Sequence, residues 1–200
     1  AFGFRVKARN AHKAAWNLLF ALGSLVTTLA QGWMLGVYVT GFHTDLWSRL
    51  FAVGIALTLP AAYAMLGVGW LVMKTEGELQ RKALRWGQGV LWPMGFALVG
   101  ISLATPVVSQ TVFNKWFALP GFFALLPIPL ACVAAFFAIR HVLAAPRVVA
   151  AGYGWVVFVA TVVIFVLAFF GLSYSIYPYI VIDRLTVWEA ASATESLAVI

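Results

Sequence analysis

Three histidines, four methionines, one cysteine and six carboxylates are the side chains here that could bind a metal, hold a haem iron or relay a proton. A haem inside a helical bundle takes axial ligands such as His or Met at membrane depth. An ion-coupled pump needs an ionisable group at that depth. His12 falls in a basic N-terminal stretch, His43 in a polar break between two apolar runs, and His141 at the end of another run. No two histidines share one apolar run. Met65 and Met94 lie deep in such runs, where a thioether is ordinarily a packing group. A single cysteine, Cys132, excludes an internal disulfide and a cysteine-cluster metal site. Inside its apolar run it reads as a buried, inert thiol. The pattern assigns the chain no catalytic residue, no cofactor-binding residue and no metal ligand.

The elements that carry these residues follow from composition. Hydrophobic residues make up 64% of the 200 residues and charged residues 10%, against about 25% charged in a soluble domain. So few charges cannot cover a soluble surface, and lipid is the expected solvent. The net charge of +7 sits in short breaks between apolar runs with no basic face, which argues against a nucleic-acid partner. Five runs reach the length of about 20 residues that a spanning helix needs: 15–39, 50–73, 87–109, 117–139 and 152–172. The expected fold class is an all-α, polytopic helical bundle, with residues 1–200 forming one transmembrane domain. Its cores contain no Asp, Glu, Lys, Arg or His. Their polar residues, among them Thr27, Thr28, Gln31, Thr58 and Thr105, are expected to hydrogen-bond between helices at about 0.6 kcal/mol each.

Basic residues orient the bundle. Arg5, Lys7, Arg9 and Lys13 precede the first run; Lys74, Arg81, Lys82 and Arg85 follow the second; Arg140 and Arg147 follow the fourth. Arg49, Lys115 and Arg184 fall on the other side. The excess places the N-terminus of this chain in the cytoplasm. Thr75-Glu76-Gly77-Glu78 has the pattern of a capping box with Thr75 as N-cap, which predicts a tight corner between the second and third helices. Lys74, Glu76 and Glu78 there are candidate subunit-contact or cytoplasmic-corner residues. Pro127-Ile128-Pro129 predicts a kink in the fourth span. After the fifth span, an aromatic stretch from Tyr174 to Ser192 reads as an interfacial loop, in which Asp183, Arg184, Trp188 and Glu189 are candidate partner contacts. Ser192-Ala193-Thr194-Glu195 has a second capping-box pattern before Leu197-Ala198-Val199-Ile200, and the expectation is that the chain stops at the start of a sixth span.

Two stretches and the opening residues resemble a known family. Gly69-Trp70-Leu71-Val72-Met73-Lys74-Thr75-Glu76-Gly77-Glu78-Leu79-Gln80 resembles the central signature of subunit II of bd-type quinol oxidases, nearest to the cyanide-insensitive branch. Tyr177-Pro178-Tyr179-Ile180-Val181, Leu185-Thr186-Val187-Trp188 and Ala190-Ala191-Ser192 are similar to that family's outer loop. Phe2-Gly3-Phe4-Arg5-Val6-Lys7 resembles its cytoplasmic segment after the third helix. The resemblance implies a partial subunit of a nine-helix protein in a bacterial inner membrane. It implies that b- and d-type haems, or b-type alone, and the quinol site reside in a partner subunit I, with a small single-helix subunit as a further companion. This chain would then bind no cofactor, contact subunit I and lipid, and serve a complex that oxidises quinol and reduces dioxygen while building a proton gradient. The competing expectation is a polytopic transporter or channel subunit.

Overall fold

A computed structural model describes residues 10–119, 121–182 and 184–191. Among these residues seven helices follow one another: α1 (Asn10–Val39), α2 (Leu46–Lys74), α3 (Gly77–Val108), α4 (Gln110–Phe117), α5 (Gly121–Leu125), α6 (Pro127–Ala144) and α7 (Trp155–Ile176). A helical turn, Pro146–Val148, and a π-helical turn, Val149–Tyr153, join α6 to α7. Two short antiparallel strands, β1 (Tyr179–Val181) and β2 (Leu185–Thr186), follow α7. Among the described residues, five stretches are long and apolar enough to cross a membrane: Lys13–Val39, Leu46–Lys74, Gly77–Val107, Gly121–Ala144 and Trp155–Ile176. In lipid the backbone must satisfy its own polar groups, so even the β-branched α7 is helical.

The central helix is α2, which packs against α1, α3 and α7, while α6 lies against α3 and α7. Met65 and Val72 of α2, Leu91 and Met94 of α3, Ile139 and Leu143 of α6 and Val157 and Ile164 of α7 form the main core. Both deep methionines are therefore packing groups. Close approach depends on small residues. A Cβ on Gly32 of α1 would lie 2.5 Å from the Ala56 Cα of α2, and one on Gly69 of α2 would lie 2.8 Å from the Phe158 Cα of α7.

The spans differ from the sequence expectation in instructive ways. Asp45 caps α2 four residues earlier than the apolar run suggests. Its carboxylate accepts from the Ser48 amide at 3.0 Å and the Ser48 hydroxyl at 2.7 Å. At about 1.5 Å per residue, the 32 residues of α3 extend well beyond a hydrocarbon core of about 30 Å, so its charged first turns project past it. The expected 117–139 span is really α5 and α6, preceded by the separate helix α4. The fourth span, Gly121–Ala144, is interrupted at Leu126, directly before Pro127-Ile128-Pro129. Pro127 and Pro129 occupy the first turn of α6, where a missing amide costs no helix bond. The fifth span starts at Trp155 rather than 152, because Gly152 has φ 91° and belongs to the preceding turn.

The core hydroxyls do not cross-link helices as expected. Thr27, Thr28, Thr58 and Thr105 donate to carbonyls of their own helix, on Gly23, Ser24, Ile55 and Ile101, at 2.7–2.9 Å. A hydroxyl three or four residues along reaches its own backbone more readily than a neighbouring helix. Gln31 of α1 does bridge, accepting from the Tyr63 hydroxyl of α2 at 3.2 Å. Cys132 is half-buried rather than buried.

Candidate subunit-contact surfaces

Two groups of candidate residues sit at opposite ends of the bundle. Gly154, at the start of α7, lies beside the Val72 carbonyl of α2, so the α2–α3 corner and the start of α7 share one end. The β1–β2 hairpin after α7 is at the other.

At the corner end, α2 stops at Lys74 and α3 starts at Gly77. The turn is as tight as the sequence implied, but its chemistry is different. Thr75 does not cap α3. Its hydroxyl donates to the Leu71 carbonyl at 2.7 Å, and its amide bonds the same oxygen at 2.9 Å. Thr75 thus closes α2, and Glu76 holds the N-cap position of α3 with no side-chain cap bond. The reversal rests instead on Gly77, at φ 68°, a region that glycine enters without steric cost. Gln80 fastens the turn by donating to the Val72 carbonyl at 2.9 Å. Lys74, Glu76 and Glu78 are all exposed. The Lys74 ammonium lies 5.6 Å from the Trp70 ring, and Glu78 sits in the first turn of α3, where a carboxylate suits the helix dipole.

At the hairpin end, Asp183 lies outside the described residues. Trp188 is exposed and meets Tyr177 edge to face, with ring centroids 6.2 Å apart. Glu189 completes a capping box that the sequence reading passed over. Its carboxylate accepts from the Thr186 amide and hydroxyl, both at 2.8 Å, while the Thr186 hydroxyl accepts from the Glu189 amide at 3.3 Å. Those bonds from the Thr186 backbone and then its side chain hold the Glu189 carboxyl below its usual range. The Thr-x-x-Glu spacing was visible, but an aromatic loop gave no apolar helix for it to open. The box predicted at Ser192–Glu195 lies outside the described residues.

A third cluster, also missed, binds α4 to the end of α7. Lys115 donates its ammonium to the carbonyls of Tyr174 and Tyr177 and lies 4.3 Å from the Tyr174 ring. A cation there complements the negative end of α7. Burial pushes its pKa down from the ordinary lysine value. Trp116 donates from Nε1 to the Ser175 hydroxyl at 2.8 Å, which in turn donates to the Gly171 carbonyl. Val112 of α4, Ile176 at the end of α7 and Ile182 of the hairpin close a small apolar core beneath.

A groove of about 1060 Å³ runs between the hairpin-end halves of α2 and α3, walled by Phe51, Leu57, Phe96 and Leu103, with His43 and Asp45 at its mouth. His43 and His141 are both exposed, in the α1–α2 loop and near the end of α6. Among the described residues, no three His, Cys, Asp or Glu side chains gather where they could hold a metal.

The fold and these surfaces define a polytopic helical membrane protein whose charged side chains, among the described residues, gather toward its two ends. The family of cytochrome bd terminal oxidase subunit II matches residues 1–200, and the chain belongs to that family. A comparison with curated proteins returns no match. The chain is thus a component of an oxidoreductase complex, that of the haem-containing bd oxidases.

Proposed function

We propose that this chain serves as the non-haem subunit of a quinol-oxidising terminal oxidase in a bacterial inner membrane. In this reading, subunit I carries the haems and the quinol site. The complex reduces dioxygen to water and builds a proton gradient by drawing protons from the cytoplasm. The chain's own part is structural: it packs beside subunit I and keeps water from the haem region. The observation that carries the reading is the family match over residues 1–200 on a chain whose apolar cores hold no ionisable side chain. With no group at membrane depth to exchange a proton, this chain supports the chemistry rather than performing it.

The corner residues Lys74, Glu76 and Glu78, Trp188 and Glu189 at the hairpin, and also Asp183, are the proposed contacts to companion subunits. The basic corner end faces the cytoplasm. The test is to purify the complex with and without this subunit and follow quinol-supported oxygen uptake. Loss of most of the uptake supports the reading, and full uptake by subunit I alone refutes it. A self-assembled oligomer that moves solute across liposomes without a haem partner would favour a transporter.

A further inference from the structure

We infer that the exposed corner-end surface along the α3–α6 seam is a binding site for an anionic membrane phospholipid, with Arg140 and Arg85 as its phosphate ligands. Arg140, near the end of α6, is exposed, and its guanidinium lies 5.2 Å from the centre of the Trp92 ring on α3. Trp92 is itself fixed edge to face on Phe136 of α6, with centroids 6.0 Å apart. A guanidinium held over an indole by a cation–π contact still has N–H groups to offer, and arginine binds phosphate in a two-pronged way.

Arg85 continues the site. It lies seven residues before Trp92, two helical turns and so the same face of α3. Gln88, between them, donates to the Leu143 carbonyl of α6 at 2.8 Å, which sets α3 and α6 in register at this level. The line from Arg85 to Trp92 is about 10 Å along the axis, within reach of two long arginine side chains closing on one headgroup. On the side away from the corner, exposed Phe137 of α6, edge to face with Phe136, offers an apolar surface suited to acyl chains.

Charge supplies the second argument. The described carboxylates are Asp45 and Glu189 at the hairpin end and Glu76 and Glu78 in the α2–α3 corner. Among the described residues, none meets Arg85 or Arg140 in an ion pair; Arg140 has its contact with Trp92 instead. Two arginines at the level where spans emerge from hydrocarbon, without protein acids, complement the phosphate layer of anionic lipid. Such contacts contribute about 1 kcal/mol per basic residue.

The site is independent of the oxidase reading, because it needs no partner subunit. The test uses the intact purified complex and native mass spectrometry, titrated with phosphatidylglycerol and separately with phosphatidylcholine. Arg140→Gln and Arg85→Gln should each weaken phosphatidylglycerol binding about fivefold, the ratio corresponding to ~1 kcal/mol. Arg147→Gln, which removes the same charge outside the seam, should leave it unchanged. Equal weakening by Arg147→Gln, equal binding of both lipids by the unaltered complex, or displacement of the lipid by inorganic phosphate would each overturn the assignment. Should Arg140→Gln fail to assemble, Arg85→Gln carries the same comparison.

Discussion

Gly36 of α1 and Ala52 of α2 stand so close that a Cβ on Gly36 would lie 2.4 Å from the Ala52 Cα. With Gly32 against Ala56 one turn away, this makes a small-residue seam in which two backbones touch. Lipid offers no hydrophobic force between helices, so such close van der Waals packing is a main source of association. Gly36→Leu should force α1 from α2 at a cost of about 1–3 kcal/mol, the usual range for overpacking. A thermal-denaturation series of the assembled complex checks this. Gly23→Ala, where nothing lies within 4 Å, should not lower the midpoint.

The corner makes a prediction of opposite signs at two glycines that both have open space around them. Gly77→Ala places a side chain at φ 68° and should destabilise the turn by about 1–2 kcal/mol. Gly89 sits within α3 with no positive φ and nothing within 4 Å. Gly89→Ala should therefore stabilise by about 0.4–1 kcal/mol through the unfolded chain. The same thermal series reads both, and a like sign at the two positions would contradict the account of the corner.

Much of this was legible before any coordinates, and the failures have physical causes. Long uncharged runs admit one solution in lipid, so five spans and both ends of the bundle followed from residue type. The corner's position was readable at Lys74–Gly77, but its chemistry was not. The Thr75 hydroxyl had two carbonyl and amide targets within reach and took the Leu71 carbonyl behind it. The Glu189 box had identical spacing and did close. Lys115 meets carbonyls 59 and 62 residues away, a contact that no local spacing encodes. The helix breaks between α4 and α5 and between α5 and α6 fall inside or beside one apolar run, and hydropathy does not mark them.

Lys115 supplies a prediction about that hidden contact. Lys115→Met retains the apolar stem but removes the donor to Tyr174 and Tyr177. Because the ammonium is partly solvent-exposed, screening limits the loss to about 1 kcal/mol. The readout is hydrogen exchange at Ser175–Tyr177, which should quicken while the α2–α3 corner stays unchanged.

The hairpin capping box should respond to acid. The Glu189 carboxyl has a pKa below its ordinary 4.5 in the folded chain. Its contribution is therefore complete above that ordinary value and is lost as pH falls through the lower folded one. Exchange of the Thr186 amide should be slow at neutral pH and accelerate, beyond its intrinsic pH dependence, below about 4.5. Glu189→Gln, which removes the titrating group, should abolish the extra acid response, and an unchanged profile in that variant would show that the bonds to Glu189 do not govern it.

The central claim, that electron and proton chemistry belongs to a companion polypeptide, is met most directly by reduced-minus-oxidised absorption spectra. The complex should be compared with this chain isolated from it. Haem bands should appear in the complex, and none should be carried by the separated chain. A haem band that stays with the isolated chain would contradict the central claim.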